Sequence, residues 1–243
     1  MTPRKPRAVD RQARKATEAT EHLREHVREV FDEVKPKLRG WLHAATAPLT
    51  LAAGIVLIAL SPTTPTRVGS TIFAASALVL FTVSGIYHRG TWSPRAWAFL
   101  RRFDHANIFL LIAGSYTPFT LLLLDGRDRT VLLTVVWVGA GLGILFRILW
   151  SHAPRWLYTI IYIALGWAAV FYFPGFVANA STAVLTLLVV GGLLYTLGGL
   201  VYGLQRPDPH PGWFGFHEVF HTLTIAAFVT HYVGVSIATY SLR

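Results

Sequence analysis

Long apolar runs separated by short polar segments dominate the chain after residue 40. Seven of these runs reach the length of about 20 residues that a helix needs to cross the hydrocarbon core of a bilayer. A β-barrel would instead show short strands of alternating polarity, whereas continuous apolar runs satisfy their backbone hydrogen bonds as helices. The pattern therefore predicts an all-α integral membrane protein with a bundle of seven transmembrane helices. The predicted spans are 42–60, 69–88, 104–124, 130–150, 156–174, 181–203 and 214–238.

Composition supports a membrane protein, because 53% of the 243 residues are hydrophobic and 14% are charged. The net charge of +10 would suggest a nucleic-acid partner in a soluble protein, but 11 of the 22 basic residues lie in residues 1–40. We therefore predict a basic cytoplasmic tail over 1–40, a transmembrane domain over 41–243, membrane lipids as partners and no nucleic acid. The sequence has no cysteine, which excludes disulfides and thiolate metal sites. It leaves the oligomeric state open.

The basic tail has two predicted parts. Arg, Lys and Pro dominate residues 1–15, which predicts disorder. Further on, apolar residues recur at helical spacing between charged ones, which predicts an amphipathic helix on anionic headgroups before the first span. A helix that docks a specific partner is the alternative. The apolar positions are Leu23, Val27, Val30, Phe31, Val34 and Leu38.

Lys and Arg are distributed unequally between the two sides of the predicted bundle. With a cytoplasmic tail, 18 of the 22 basic residues fall on the cytoplasmic side and four on the other. Because positive charge is retained in the cytoplasm, we expect a multi-pass protein of the cell membrane with its N-terminus inside and its C-terminus outside.

Five polar residues fall at one end of the predicted bundle, since neighbouring helices alternate in direction. Ser84 and His88 end span two, Asp104 starts span three, and His217 and His221 open span seven. The last two are four residues apart, so both can reach one metal ion from one helix face. With His88 they make three protein ligands, which together with an open position are typical of catalytic zinc. Asp104 is expected to orient the water at that position or bind the metal, with Ser84 as a hydrogen-bond partner.

The remaining histidines receive other interpretations. An isolated histidine at a helix end is usually a solvated polar residue, so we expect His43, His152 and His210 to be exposed to water or headgroups. His231 lies ten residues after the second paired histidine and about 80° from its face, which favours a packed or hydrogen-bonded side chain. His105 adjoins the aspartate and is expected to point elsewhere.

Two other kinds of catalytic site are compatible with these residues. Residues 217–221 read H-E-x-x-H, in which metalloproteases bind zinc through both histidines and use the glutamate, here Glu218, as general base. No acidic residue follows Glu218, so a third ligand would have to come from upstream. A serine hydrolase would use Ser84 as nucleophile, His88 as base and Asp104 as orienting group. That arrangement leaves the paired histidines without a role.

Five stretches follow one another along the chain: K-L-R-G-W-L-H at 37–43, S-G-I-Y-H at 84–88, F-D-H at 103–105, L-L-I-A-G-S-Y-T-P-F at 110–119, and His217-x-x-x-His221 followed by His231. In this order and spacing they resemble the hemolysin III family, which is related to the progestin and adipoQ receptors that include the adiponectin receptors. The resemblance covers nearly all of the chain from about residue 37. The resemblance implies a seven-helix bundle with a cytoplasmic N-terminus and zinc held by His88, His217 and His221. It also implies that Asp104 lies near the metal-bound water with Ser84 beside it, and that Glu218 is incidental.

The sequence favours one function and leaves two others open. The first is a zinc-dependent hydrolase that cleaves a membrane lipid at an amide or ester, with Asp104 as base. The resemblance agrees, because the receptor branch is linked to lipid amide hydrolysis and membrane-lipid homeostasis. The second is a non-catalytic zinc-containing sensor or regulator of the membrane. The third is cytolysis by pore formation, for which no charged path through the spans is evident.

Overall fold

A computed structural model describes residues 36–150 and 153–242. Over these residues the chain forms seven helical spans, each long and apolar enough to cross a membrane. The predicted all-α fold with seven spans is therefore confirmed. The spans are α1 (Trp41–Ala59), α2 (Thr64–Arg89), α3 (Pro94–Leu123), α4 (Gly126–Leu149), α5 (Arg155–Asn179), α6 (Thr182–Leu204) and α7 (Phe216–Tyr240).

Helices α2 and α3 begin earlier than the predicted spans because polar caps extend them beyond their apolar segments. Thr63 caps α2 by accepting a hydrogen bond from the backbone of Thr66. Ser93 caps α3 in the same way, and Pro94 follows at the first helical position, where its fixed φ favours a helix. Asp104 consequently lies about three turns inside α3. The hydropathy pattern had placed it at the start of the span.

Span α5 is interrupted, whereas the sequence predicted one continuous helix. An α-helix over Arg155–Gly166 is followed by a 3-10 segment, Ala168–Tyr172, and a second α-helix, Phe173–Asn179. The hydroxyl of Tyr116 from α3 donates to the carbonyl of Gly166 at 2.6 Å and accepts from the backbone N–H of Ala169 at 2.9 Å. A neighbouring side chain thus satisfies backbone groups that the break releases.

The segment before α1 is a turn. Residues 1–35, which carry most of the predicted amphipathic helix and the predicted disordered part, lie outside the described residues. Pro36–Gly40 forms turns with hydrogen bonds from Arg39 N–H to the Pro36 carbonyl and from Trp41 N–H to the Leu38 carbonyl. The predicted helical pattern therefore does not continue as a helix through Leu38.

Helix α7 lies inside the bundle, in contact with α1, α2, α3 and α6. Its middle is held by aromatic packing: the ring of Phe228 lies 5.2 Å from that of Phe73 and 5.3 Å from that of Phe81. These three side chains are buried. The central position of α7 places its first turns beside the start of α1, the end of α2 and the first half of α3.

Candidate metal centre

Three imidazoles converge where the last turn of α2 meets the first two turns of α7. One ring nitrogen from each of His88, His217 and His221 lies within 4.8 Å of the other two, and we call these residues the histidine trio. The Nε2 atoms of His88 and His217 are 3.1 Å apart. His88 and His221 are buried and His217 is partly buried. The histidine trio could hold a metal ion.

The donor set fits a divalent metal. Two nitrogens bound to one tetrahedral zinc ion lie about 3.3 Å apart, close to the separation between His88 and His217. The Nδ1 atom of His221 is buried and has no hydrogen-bond partner in the described part of the chain. Imidazole nitrogen binds zinc and several other divalent ions, so the geometry supports a metal site without selecting one metal.

Asp104 and Ser84 lie at the same end of the bundle as the histidine trio. The Oδ2 atom of Asp104 is 3.7 Å from Nε2 of His88, and its side chain is 13% exposed. Ser84 is buried one turn before His88 on α2. Asp104, Ser84 and His221 line one cavity. The structure thus brings together all five residues that the sequence selected.

The glutamate of the H-E-x-x-H sequence is engaged in contacts of its own. Glu218 is fully buried, and its Oε1 atom accepts a hydrogen bond from Nε of Arg39. Its Oε2 atom accepts from the backbone N–H of Gly215 at 2.9 Å, which closes the first turn of α7. Both carboxylate oxygens therefore serve the structure, which argues against Glu218 as the general base of a peptidase.

His43 is the residue that sequence reasoning missed. The prediction that it is solvated is wrong, because it is 2% exposed and neither ring nitrogen has a hydrogen-bond partner among the described residues. Its ring stacks on that of His221, with centroids 3.7 Å apart and planes 15° apart. Two signals could have identified it: α1 starts at the same end as the other five residues, and His43 closes the 37–43 stretch.

The segment that precedes α1 packs against His88 of the histidine trio. Gly40 has a φ of +79°, and a Cβ atom there would lie 2.6 Å from the Cβ of His88. The backbone N–H groups of Lys37 and Leu38 donate to the carbonyls of Gly212 and Trp213 at 3.2 and 3.3 Å. The segment is therefore held between α2 and the loop before α7. Glycine permits both the left-handed backbone and the close approach.

The other histidines largely follow their predictions. His105 points away from the trio, with Nε2 2.9 Å from the Tyr202 hydroxyl. His231 is buried, with Nε2 3.2 Å from the carbonyl of Leu188, which confirms a packed, hydrogen-bonded side chain. His210 is exposed as predicted. His152 lies outside the described residues.

A cavity of about 220 Å³ extends from the metal centre into the bundle. Its polar end contains side chains from α1, α2, α3 and α7, including Asp104 and His221. Apolar side chains form most of the remaining wall, and they come from α3, α5, α6 and α7. Examples are Leu111, Phe119, Ile163, Trp167 and Val189.

Comparison with known proteins agrees with this arrangement. A family model described as haemolysin-III related matches residues 31–232. The chain is 36% identical over 150 residues to the hemolysin-3 homolog of Bacillus subtilis (strain 168), covering 61% of this chain and 70% of that protein. It is 31% identical over 175 residues to hemolysin-3 of Bacillus cereus, covering 70% and 80%.

A eukaryotic receptor is similar over a comparable share of this chain. The adiponectin receptor protein of Drosophila melanogaster is 31% identical over 182 residues, which cover 68% of this chain and 41% of the receptor. The seven spans, the histidine trio and the family model that matches most of the chain lead to one assignment. This chain belongs to the haemolysin III family of multi-pass membrane proteins.

Proposed function

We propose that the protein is a zinc-dependent hydrolase that cleaves membrane lipids at an amide or ester bond. The observation that carries this proposal is the cavity that has His221 of the histidine trio and Asp104 at its polar end and apolar side chains along the rest of its wall. A lipid has the same division, with a polar cleavable bond at one end and a hydrocarbon chain beyond it. A protein that lies within the bilayer also meets lipid substrates without extracting them into water.

The residues of the site have distinct proposed tasks. The histidine trio holds the metal, and zinc, when bound, supplies a Lewis acid that polarises a carbonyl and activates water near neutral pH. Asp104 accepts the proton of the attacking water, because its carboxylate lies beside His88 and lines the cavity. Ser84, which lines the same polar end of the cavity, is the proposed hydrogen-bond partner of these groups. The apolar wall positions the acyl chain so that the cleavable bond lies beside these groups.

The test combines metal content with lipid turnover in the purified full chain. His88→Ala and His221→Ala remove one nitrogen each from the trio, so we expect both to lose zinc and turnover. Asp104→Asn keeps the trio, so it should retain zinc and lose turnover by about 100-fold or more. Elemental analysis measures the metal, and mass spectrometry measures fatty acid released from N-acyl and O-acyl lipids.

His210→Ala is the matched control, because His210 is an exposed histidine in the loop before α7. It should keep both zinc and turnover. Full turnover by a zinc-free His88→Ala or His221→Ala protein would end the hydrolase proposal. Zinc retention with an unchanged lipid profile between wild type and Asp104→Asn would favour the non-catalytic sensor.

We also propose that the metal centre faces the cytoplasm of a cell-membrane protein whose N-terminus lies inside and C-terminus outside. The support is the excess of Lys and Arg at the end of the bundle that contains the trio. Because the sequence has no cysteine, single cysteines can report sidedness. His210→Cys should react with a membrane-impermeant maleimide only after cell lysis, and Arg127→Cys should react in intact cells. The reverse pattern would overturn the orientation.

A further inference from the structure

Arg147 is a buried cation for which the described residues provide no counter-ion. It lies in the last turn of α4 and is 2% exposed. Its Nε and Nη1 atoms are buried and make no hydrogen bond, and no ion pair joins it to a described acidic residue. Burying an unpaired charge is strongly unfavourable, so this guanidinium calls for an anion from outside the described residues.

Its surroundings are aromatic and cationic. The guanidinium carbon of Arg147 lies 4.6 Å from the ring centroid of Tyr158. The hydroxyls of Tyr158 and Tyr202 are 3.4 Å apart, and the guanidinium carbon of Arg155 lies 5.8 Å from the ring of Tyr202. Two arginines therefore meet one pair of tyrosines, and their combined positive charge favours an anion between α4, α5 and α6.

The tyrosine hydroxyls do not supply the missing acceptor. Nδ1 of His105 faces the carbonyl of Arg101 and must donate to it, so Nε2 of the neutral ring accepts from Tyr202. The Tyr202 oxygen then accepts the proton of Tyr158. In the described part of the chain neither tyrosine oxygen accepts a hydrogen bond from Nε or Nη1 of Arg147, so these two N–H groups are left for a ligand.

The position of Arg147 selects the class of anion. Three apolar side chains around the end of α4 and the start of α5 are exposed: Leu149 by 76%, Trp150 by 49% and Trp156 by 61%. Exposed tryptophans at the ends of spans are typical of the level of lipid headgroups. Arginine recognises phosphate through two parallel N–H donors. The level of Arg147 and the chemistry of its side chain together favour the phosphate of a lipid headgroup as the anion.

We propose that Arg147 binds the phosphate of a membrane phospholipid headgroup. The site adjoins the metal centre, because the ring of Tyr202 lies 6.0 Å from that of His217. The inference does not depend on catalysis at the histidine trio. Inorganic phosphate has the same chemistry and is the alternative source of the anion.

The test measures lipid binding to the full chain in detergent by native mass spectrometry. Phosphatidylglycerol is compared with diacylglycerol of the same acyl chains, which lacks the phosphate. We expect the wild type to prefer phosphatidylglycerol and Arg147→Gln to bind it about tenfold more weakly. Arg147→Lys should be intermediate, because an ammonium lacks the planar pair of donors. Arg102→Gln removes an exposed charge from the same end and should bind like the wild type.

Two further measurements complete the test. Competition by millimolar inorganic phosphate would assign the anion site to free phosphate as well, whereas no competition assigns it to the lipid. Without phospholipid or phosphate, Arg147→Gln should melt at or above the wild-type temperature, because glutamine removes an unpaired charge. Equal binding of phosphatidylglycerol and diacylglycerol, equal binding by Arg147→Gln and wild type, or a lower melting temperature of Arg147→Gln without phosphate would each overturn the proposal. If Arg147→Gln does not fold, the lysine variant carries the same comparison.

Discussion

The two ends of the bundle differ in whether their ionisable side chains have partners within the described part of the chain. At the end opposite the metal centre, Arg67 donates to the carbonyl of Ser61 at 3.3 Å, and Arg129 pairs with Asp125 within one helical turn. At the end that contains the histidine trio, nitrogens of His43 and His221 are buried without a described partner. Contacts that the chain completes by itself stabilise its fold. Converging groups that it leaves incomplete indicate a bound ligand.

The largest effect is expected from breaking the buried ion pair between Arg39 and Glu218 at the trio end. Arg39→Ala leaves the fully buried carboxylate of Glu218 without its cation, so it should reduce the free energy of unfolding by about 3 kcal/mol. Arg129→Ala breaks an exposed pair at the opposite end, where the side chain of Asp125 is 88% exposed, and should cost about 0.5 kcal/mol or less. Thermal melts in detergent compare the two variants. Equal losses of stability would contradict the difference between the two ends.

A second prediction concerns two glycines that both have a positive φ angle but differ in the side chains around them. Gly40 and Gly126 have φ angles of +79° and +52°, but a Cβ atom would meet His88 at Gly40 and nothing within 4 Å at Gly126. Alanine should cost about 1 kcal/mol at Gly126 from backbone strain alone. At Gly40 the contact with His88 should raise the cost to about 2–3 kcal/mol and weaken zinc binding.

Melting temperatures and zinc affinity, measured by competition with a chelator, test this pair of variants. Unchanged zinc affinity in Gly40→Ala would show that the segment before α1 stabilises the fold without shaping the metal centre. A loss of zinc affinity in Gly126→Ala would indicate a general effect of destabilisation.

The sequence predicted the number of spans and the placement of five polar residues at one end of the bundle. The physical signals behind these predictions also explain what the sequence missed. Hydropathy marks the length that lies in hydrocarbon, and alternation of helix direction places Ser84, His88, Asp104, His217 and His221 at one end. Neither signal contains the tertiary contacts and helix caps that determine where a span is interrupted and where a helix begins. The break in α5 depends on the hydroxyl of Tyr116, a residue of another helix, and the capped starts of α2 and α3 lie outside the apolar pattern.

The guanidinium of Arg147, for which the described residues offer no counter-ion, illustrates the same limit. A positive charge at the end of a span normally reaches the headgroup region, and a sequence alone shows no reason to expect it buried. Its burial results from packing of α4 against Tyr158 of α5, a contact between two spans. Sequence patterns therefore located the polar ends of the bundle, but not the partners of individual side chains.

A third prediction separates the shape of His43 from its nitrogens. The stacked ring supports His221 by a contact of about 1 kcal/mol, so His43→Ala should weaken zinc binding about fivefold. His43→Phe keeps an aromatic ring without nitrogens and should restore most of that affinity. His210→Ala, the exposed control, should have no effect. Failure of phenylalanine to restore zinc binding would instead indicate that a nitrogen of His43 contributes directly.

The smallest effect is expected at the opposite end, where the cap of α2 makes contacts within the chain. The Oγ1 atom of Thr63 accepts a long hydrogen bond of 3.4 Å from the backbone N–H of Thr66, and the Thr66 hydroxyl accepts from the backbone N–H of Thr63 at 2.9 Å. Thr63→Ala removes the first bond and keeps the second, so it should cost about 0.5 kcal/mol. Because α2 also carries His88 at its other end, this variant tests whether helix stability alone affects the metal centre. We expect a slightly lower melting temperature and unchanged zinc affinity, and reduced zinc affinity would mean that the two ends are coupled through α2.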